Sequence, residues 1–391
     1  MNWLKSSIVN GGVKIPPTWL HLHYYEALNA LFRVENALRV FVYVVLKNTK
    51  RGKWADAQIS SDEGAETTIA AIAKRRLTQD DRFGYLGYRI TSPLMHLTSG
   101  EIIRLIFSDA YWPLFADSFP ASKEIVKTKL EEIGNIRNAL AHFRPIKNDD
   151  VEVVKQNANQ VFGRIENALH NVMRLNAIVP SNTLDPWYVS LKQTAGQHCG
   201  MGFRQSENEK WVVVRLIYTC PHVGKPSTSS SYKSWSVLTV KSPSLLRFTP
   251  NILDGIIYAS ESIAAVDRSA DVPTLKKVVN FVFGRQTLVE MHDKVRDDLE
   301  RVIATITNET DLIREDNLAR GEIVRTADVA MFKDGDRWME HFDALHSTSS
   351  SDDPAEYWGE PLGATSHFIT DTMLYPWMPV EVSDEDEEVP F

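Results

Sequence analysis

The feature that most restricts what this chain can fold into is a change of hydrophobic period near Asn176. Before that point apolar residues recur every three or four positions in one segment after another. After it, short runs of β-branched and aromatic residues such as "KWVVVRLIYT" and "SWSVLTV" take over. Two rhythms in sequence predict a helical body followed by a body that contains sheet. The fold class expected is a mainly α N-terminal helical bundle, then an α+β C-terminal domain with a small antiparallel sheet and a long helix.

The first helix is the longest of its half. "TWLHLHYYEALNALFRVENALRVFVYVVLKN" follows Pro16-Pro17 with Thr18 as a candidate N-cap, and Leu28, Leu31, Val34, Leu38, Val42 and Val45 form one apolar stripe. "AETTIAAIAKRRL" predicts a second helix, and "TSGEIIRLIF" a third, capped by Thr98 or Ser99 with Glu101 in its first turn. "SKEIVKTKLEEIGNIRNALAHF" predicts a fourth, stopped by Pro145, and Asp149 or Asp150 can cap a fifth through "RLN". Further on, "QSENE" reads as a hairpin turn and "GKPSTSSSYK" as a loop, while "TPNILDGIIYASESIAAV" and the segment from Pro273 to about Thr307 read as helices. In the last of these, Leu288, His292, Val295, Leu299, Val302 and Ile306 form a stripe suited to core packing. The resulting division is a lead (1–16), a bundle (17–176), an α+β domain (177–346), and a linker with "HSTSSSDDP" followed by an acidic tail (347–391).

Charge divides at the same place. The net charge of the 391-residue chain is -8, yet residues 1–176 hold 23 Lys and Arg against 18 Asp and Glu, and the remainder holds 20 against 33. The N-terminal half is therefore the one able to attract phosphate. Two cysteines are too few for a disulfide framework, the opening residues lack the apolar stretch of a secretion signal, and runs such as "VFVYVVL" are too short to span a bilayer. A cytoplasmic protein with no membrane association is expected.

The segment that carries chemistry is "EEIGNIRNALAHFRPIKNDD", Glu131 to Asp150. Asn138 and His142 are four apart and share a helix face, and Arg137 lies on the adjoining side. RNA is cleaved without a metal when its own 2'-hydroxyl attacks the adjacent phosphate. That reaction needs a group to take the 2'-proton, a group to protonate the leaving 5'-oxygen, and a cation beside the phosphorane. An imidazole, with an ordinary pKa of ~6.5, can do either proton transfer. A guanidinium presents a planar fork to phosphate oxygens, and an Asn amide can orient ring or phosphate. One chain supplies the set once, so a two-fold homodimer joining two such helix ends is the natural way to complete it. The alternative is an Arg and a His at an exposed helix end, where the helix dipole favours cations.

This arginine followed by a polar residue and then His142, set in "LEEIGNIRNALAHFRPI" near the end of a late bundle helix, resembles the signature of HEPN ribonucleases, most closely the abortive-infection and toxin branch. "LTSGEIIRLIFSDAYWPLF" extends the likeness, and "VENALRVFVYVVL" is similar to that family's Glu and Arg on a long opening helix. The resemblance covers about residues 17–176. It implies an all-helical bundle that dimerises across the motif and cuts RNA without a metal or cofactor, leaving a cyclic phosphate and a 5'-hydroxyl. It also implies an anti-phage or toxin role, with Arg137, Asn138 and His142 as the catalytic set. The C-terminal half is then expected to sense a trigger, bind an inhibitor or select the substrate. A contrasting expectation is a non-catalytic interaction protein whose bundle dimerises and whose C-terminal half binds a partner.

Other residues extend the expected RNA contact. Arg39 either pairs with Glu35 one turn earlier or, if the bundle packs as the family's does, faces the cleft. Arg144 and Lys147 follow the motif and can grip flanking phosphates; Lys47 heads the basic cluster "KNTKRGK", beside a second basic run at Lys74 to Arg76. His198, Cys199, Cys220 and His222 would meet at the ends of a hairpin, but adjacent ligands on a strand point to opposite faces, and no metal is expected there. An acidic tail competing with RNA for the basic bundle is a further expectation.

Overall fold

The computed structural model describes residues 24–60, 66–81, 92–142, 144, 146–173, 178–228, 232–266, 274–334, 337–341, 343–348, 350 and 352–360. Helix α1 (Tyr24–Lys50) is the axis of the N-terminal body. Of the expected stripe, Leu31, Val34, Leu38 and Val42 are buried, while Leu28 is exposed and Val45 only partly covered; Leu46, outside that stripe, is buried as well. The expected start at Thr18 lies outside the described residues. A short ribbon, β1 (Gln58–Ser60) with β2 (Glu66–Thr68), follows, and then α2 (Ile69–Asp81), α3 (Ser99–Phe107), α4 (Trp112–Phe115), α5 (Lys123–Ala141) and α6 (Asn148–Met173). The second helix starts later than its apolar pattern suggests. Thr67 and Thr68 are β-branched and pair in the ribbon, and the Thr68 hydroxyl accepts from the Ala71 amide at 3.1 Å, which caps the helix there.

The start of α3 follows its sequence signature. The Thr98 hydroxyl accepts from the Glu101 amide at 3.3 Å, and the Glu101 carboxylate accepts from the Thr98 amide at 2.7 Å, a reciprocal capping box. Arg76 of α2 donates to both oxygens of the same carboxylate, at 2.7 and 2.8 Å. Burial pushes Glu101 up, but Arg76 and Thr98 together outweigh it and hold the carboxyl below its usual value.

The C-terminal body comprises α7 (Pro186–Lys192), β3 (Cys199–Gln205), β4 (Trp211–Cys220), β5 (His222–Thr228), β6 (Tyr232–Val240), α8 (Ser242–Phe248), α9 (Pro250–Gly255), β7 (Ile256–Val266), β8 (Thr274–Gly284), α10 (Arg285–Arg314), β9 (Val324–Asp334) and β10 (Arg337–His341). The strands form two four-stranded antiparallel sheets, ordered β3-β4-β8-β7 and β10-β9-β6-β5. An α+β layout is present, with more sheet than the one small sheet expected. The supposed loop "GKPSTSSSYK" supplies parts of β5 and β6; "TPNILDGIIYASESIAAV" is helical only to Gly255 and continues as β7; and the segment from Pro273 opens as β8 before α10 begins. The cause is burial. Val279, Phe281 and Phe283 on one side of β8 and Val278 and Val282 on the other are all covered, so the strand lacks the alternation that would mark it. The α10 stripe is core, with Leu288, Val295, Leu299, Val302 and Ile306 fully buried and His292 at the margin.

The two bodies share one core. Val213, Ile257, Tyr258 and Val282 of the first sheet belong to the apolar cluster of the bundle. Across this seam Tyr43 of α1 donates to the Ile257 carbonyl at 2.5 Å, and Tyr258 donates to the Val172 carbonyl at 3.1 Å. Burial, with Glu356 beside it, pushes the Tyr43 phenol well above its ordinary value, so it remains a donor.

The described part of 347–360 packs against the first sheet instead of standing free as a linker. Tyr357 pairs in parallel with Ala259 at the edge of β7, and Glu261 donates its amide to the Gly359 carbonyl at 2.9 Å. Trp358 stacks on Tyr258 with ring centres 4.2 Å apart. Beneath this strap, Glu261 and Lys277 are both fully buried and ion-paired at 3.0 Å, and Lys277 also reaches the Leu345 carbonyl and the Ser347 hydroxyl. The acidic tail lies outside the described residues. Among those described, no helix is long and apolar enough to cross a membrane.

Candidate functional site

Three helices build the site around the motif. Glu35 comes from α1, Ser99 from the first turn of α3, and Arg137 from the last part of α5. Ile102, Ile103, Leu130 and Ile133 provide an apolar floor under the groove between them. Gly134, one turn before Asn138, also lines the groove, where it adds no side chain to close it.

Glu35 is the hub. Its Oε1 lies 3.6 Å from Arg137 Nε and 3.5 Å from an Arg39 terminal nitrogen, and it accepts from the Ser99 hydroxyl. Arg39 also donates to the Leu97 carbonyl at 3.2 Å. Arg39 thus makes the intrahelical pair weighed from the sequence, and it is not among the residues that line the groove. Arg137 is 38% exposed, so its charge is available to a ligand from one side while Glu35 meets it from the other. Its terminal nitrogen approaches Asn138 Oδ1 at 3.5 Å, too long for a strong bond.

His142 terminates α5, and its amide donates to the Asn138 carbonyl at 3.2 Å. Asn138 and His142 are both exposed, within one turn of each other on a helix end. Arg144 and Lys147 are exposed as well, on the turn between α5 and α6; the Arg144 amide bonds to the Ala139 carbonyl, and Asp150 accepts from the Lys147 amide at 2.8 Å. This turn carries three cationic or protonatable side chains beyond Arg137, all open to solvent.

Lys47 must be removed from the phosphate-contacting set. It is 1% exposed, and its ammonium bonds to Glu356 at 2.6 Å and to the Leu253 carbonyl at 2.9 Å. The basic cluster in which it stands concealed a buried pair with an acid far along the chain. At the hairpin of β3 and β4, His198 Nε2 meets Asp311 at 3.0 Å, and burial pushes the Cys199 and Cys220 thiols up to about 12. No group of three or more His, Cys, Asp or Glu suited to a metal occurs among the described residues.

Sequence reasoning missed Glu35 as the partner of Arg137, and Ser99 as a site residue. Each had a local explanation, an intrahelical pair for Glu35 and a cap for Ser99, and no spacing rule links either to α5. Compared with known proteins, the chain matches no family model, no curated protein and no solved structure.

Proposed function

We propose that the protein is a metal-independent endoribonuclease of HEPN type, acting on RNA as a homodimer, with Arg137, Asn138 and His142 as its catalytic residues. The observation that supports this reading is the groove in which Glu35 of the opening helix meets Arg137 of the motif helix, with Arg39 paired to the same carboxylate and an exposed His142 at the end of the motif helix. In this scheme His142 moves the proton, Arg137 meets the charge that builds on the phosphorane, and Asn138 orients one of them. Arg144 and Lys147 hold flanking phosphates without reading sequence. A second subunit brings the second histidine that an acid and a base together require. The proposed setting is anti-phage defence or toxicity, with the C-terminal body recognising an inhibitor or trigger.

The test is incubation of wild type, His142→Ala and Arg137→Ala with a mixed RNA pool in EDTA, reading fragment ends. Cyclic phosphate ends from wild type alone are expected, with both variants reduced at least roughly a hundredfold, in the range of a lost general acid or base. Both variants should remain folded and dimeric. A second reading, a non-catalytic dimerising interaction protein, draws on the Glu35 carboxylate that partly neutralises Arg137. Undiminished cleavage in His142→Ala, or none by wild type at any protein concentration, would favour it.

A further inference from the structure

The first sheet carries two arginines that nothing in the bundle explains. Arg204 on β3 stands opposite Val213, and Arg215 on β4 stands opposite Gly202 and Asn280. Residues paired across antiparallel strands share a face, so the two guanidinium stems are diagonal neighbours, roughly 7–8 Å apart at their origins. That face is the one whose Val213, Val282 and Tyr258 meet the bundle. Gly202, on the same row, carries no side chain; a Cβ there would press on Ile217 Cδ1 at 3.3 Å and lie in ordinary contact with Arg215 at 3.6 and 3.8 Å.

The electrostatics of the pair are unusual. Arg204 donates to the Phe203 carbonyl at 3.0 Å, whereas Arg215 has no hydrogen-bond or ion-pair partner among the described residues, and its Nε is buried. These four strands place no Asp or Glu on this face among their described residues. Burial, and then the neighbouring Arg204 charge, hold the Arg215 guanidinium below its ordinary value. The buried Nε and the like charge of Arg204 both weigh against the Arg215 cation, and no carboxylate among the described residues pairs with it. Beside it, Asn280 donates to the Ser260 hydroxyl at 3.3 Å, adding polar groups in the same row of the sheet.

We propose that Arg204 and Arg215 form a phosphate-binding site on the bundle-facing side of the first sheet, with Asn280 and Ser260 at its margin. Two planar forks without a protein carboxylate suit a phosphoryl group, which accepts paired hydrogen bonds and cancels both charges. The phosphoryl belongs either to an RNA backbone or to a small free phosphate or nucleotide. This site lies on the sheet rather than on the motif helix and requires no RNA cleavage.

The experiment uses the full chain, as wild type, Arg215→Met, and the double variant Arg204→Gln with Arg215→Met. The probes are inorganic pyrophosphate and a 2'-O-methyl oligoribonucleotide, which binds but cannot be cut through its own 2'-oxygen. Pyrophosphate should raise the melting temperature of wild type and leave the double variant unmoved. Without ligand, Arg215→Met should melt at or above wild type, because it removes an unpaired cation. If the oligoribonucleotide also binds the double variant roughly tenfold or more weakly, with a shallower salt dependence, the phosphate is that of a nucleic-acid backbone. If only the pyrophosphate response is lost, the ligand is a small free phosphate. Equal responses of wild type and double variant to both probes would overturn the proposal, as would a lower ligand-free melting temperature for Arg215→Met with its ligand response intact.

Discussion

Glu35 determines how the motif arginine is presented. A carboxylate 3.6 Å from Arg137 Nε and 3.5 Å from Arg39 aligns two guanidinium groups that would otherwise repel, and Ser99 fixes the carboxylate in turn. Replacing Glu35 with Gln keeps the shape and removes the charge. If the motif cleaves RNA, kcat should fall roughly tenfold in this variant while KM does not rise, because the loss is of alignment in the transition state rather than of binding. Steady-state cleavage of a short RNA would measure both, and a raised KM with unchanged kcat would show that Glu35 only shapes the binding surface.

At the scale of elements, the junction of α2 and α3 rests on one acid. Glu101 closes the capping box and takes both donors of Arg76. Its carboxyl is held below the usual range, so its contribution is fully present above the unfolded value of ~4.3 and is lost as pH falls through the lower folded value. Glu101→Gln should cost about 1–3 kcal/mol at neutral pH and make the acid decline of stability shallower, as urea unfolding at a series of pH values would show. Helices α1, α3, α5 and α6 were legible because each buries one face, with α3 also marked by its capping box, and Arg137, Asn138 and His142 were legible because they lie within two turns. Strands β7 and β8 were not, since sheet neighbours and packed helices cover both their faces and erase the alternation. Nor were the pairs Glu35 with Arg137 and Lys47 with Glu356, because their members lie far apart in sequence and become neighbours only through packing. A lysine in a basic cluster looks the same in sequence whether it reaches solvent or a buried acid.

The whole molecule folds around a seam that neither half completes alone. Tyr43 and Lys47 of α1 bond to Ile257, Leu253 and Glu356, while Val213, Val282 and Tyr258 fill the bundle's core from the sheet side. The full chain should therefore unfold in one transition, and a fragment limited to residues 17–176 should melt at a lower temperature and expose enough apolar surface to bind a hydrophobic dye. Separate transitions in the intact chain, or a fragment as stable as the whole, would contradict this. Substituting Lys47 with Met should cost about 3–5 kcal/mol, because Glu356 is left buried without a counter-charge; calorimetry would measure it. The strap has a consequence in time. Trp358, which stacks on Tyr258 at the seam, is made long after α6 ends at Met173. At ordinary synthesis rates the ribosome needs on the order of 10–40 s to cover that distance. The sheet residues Val213, Ile257, Tyr258 and Val282 are made during that interval and fill the bundle's open side in steps, and the stacking of Trp358 on Tyr258 closes the seam last.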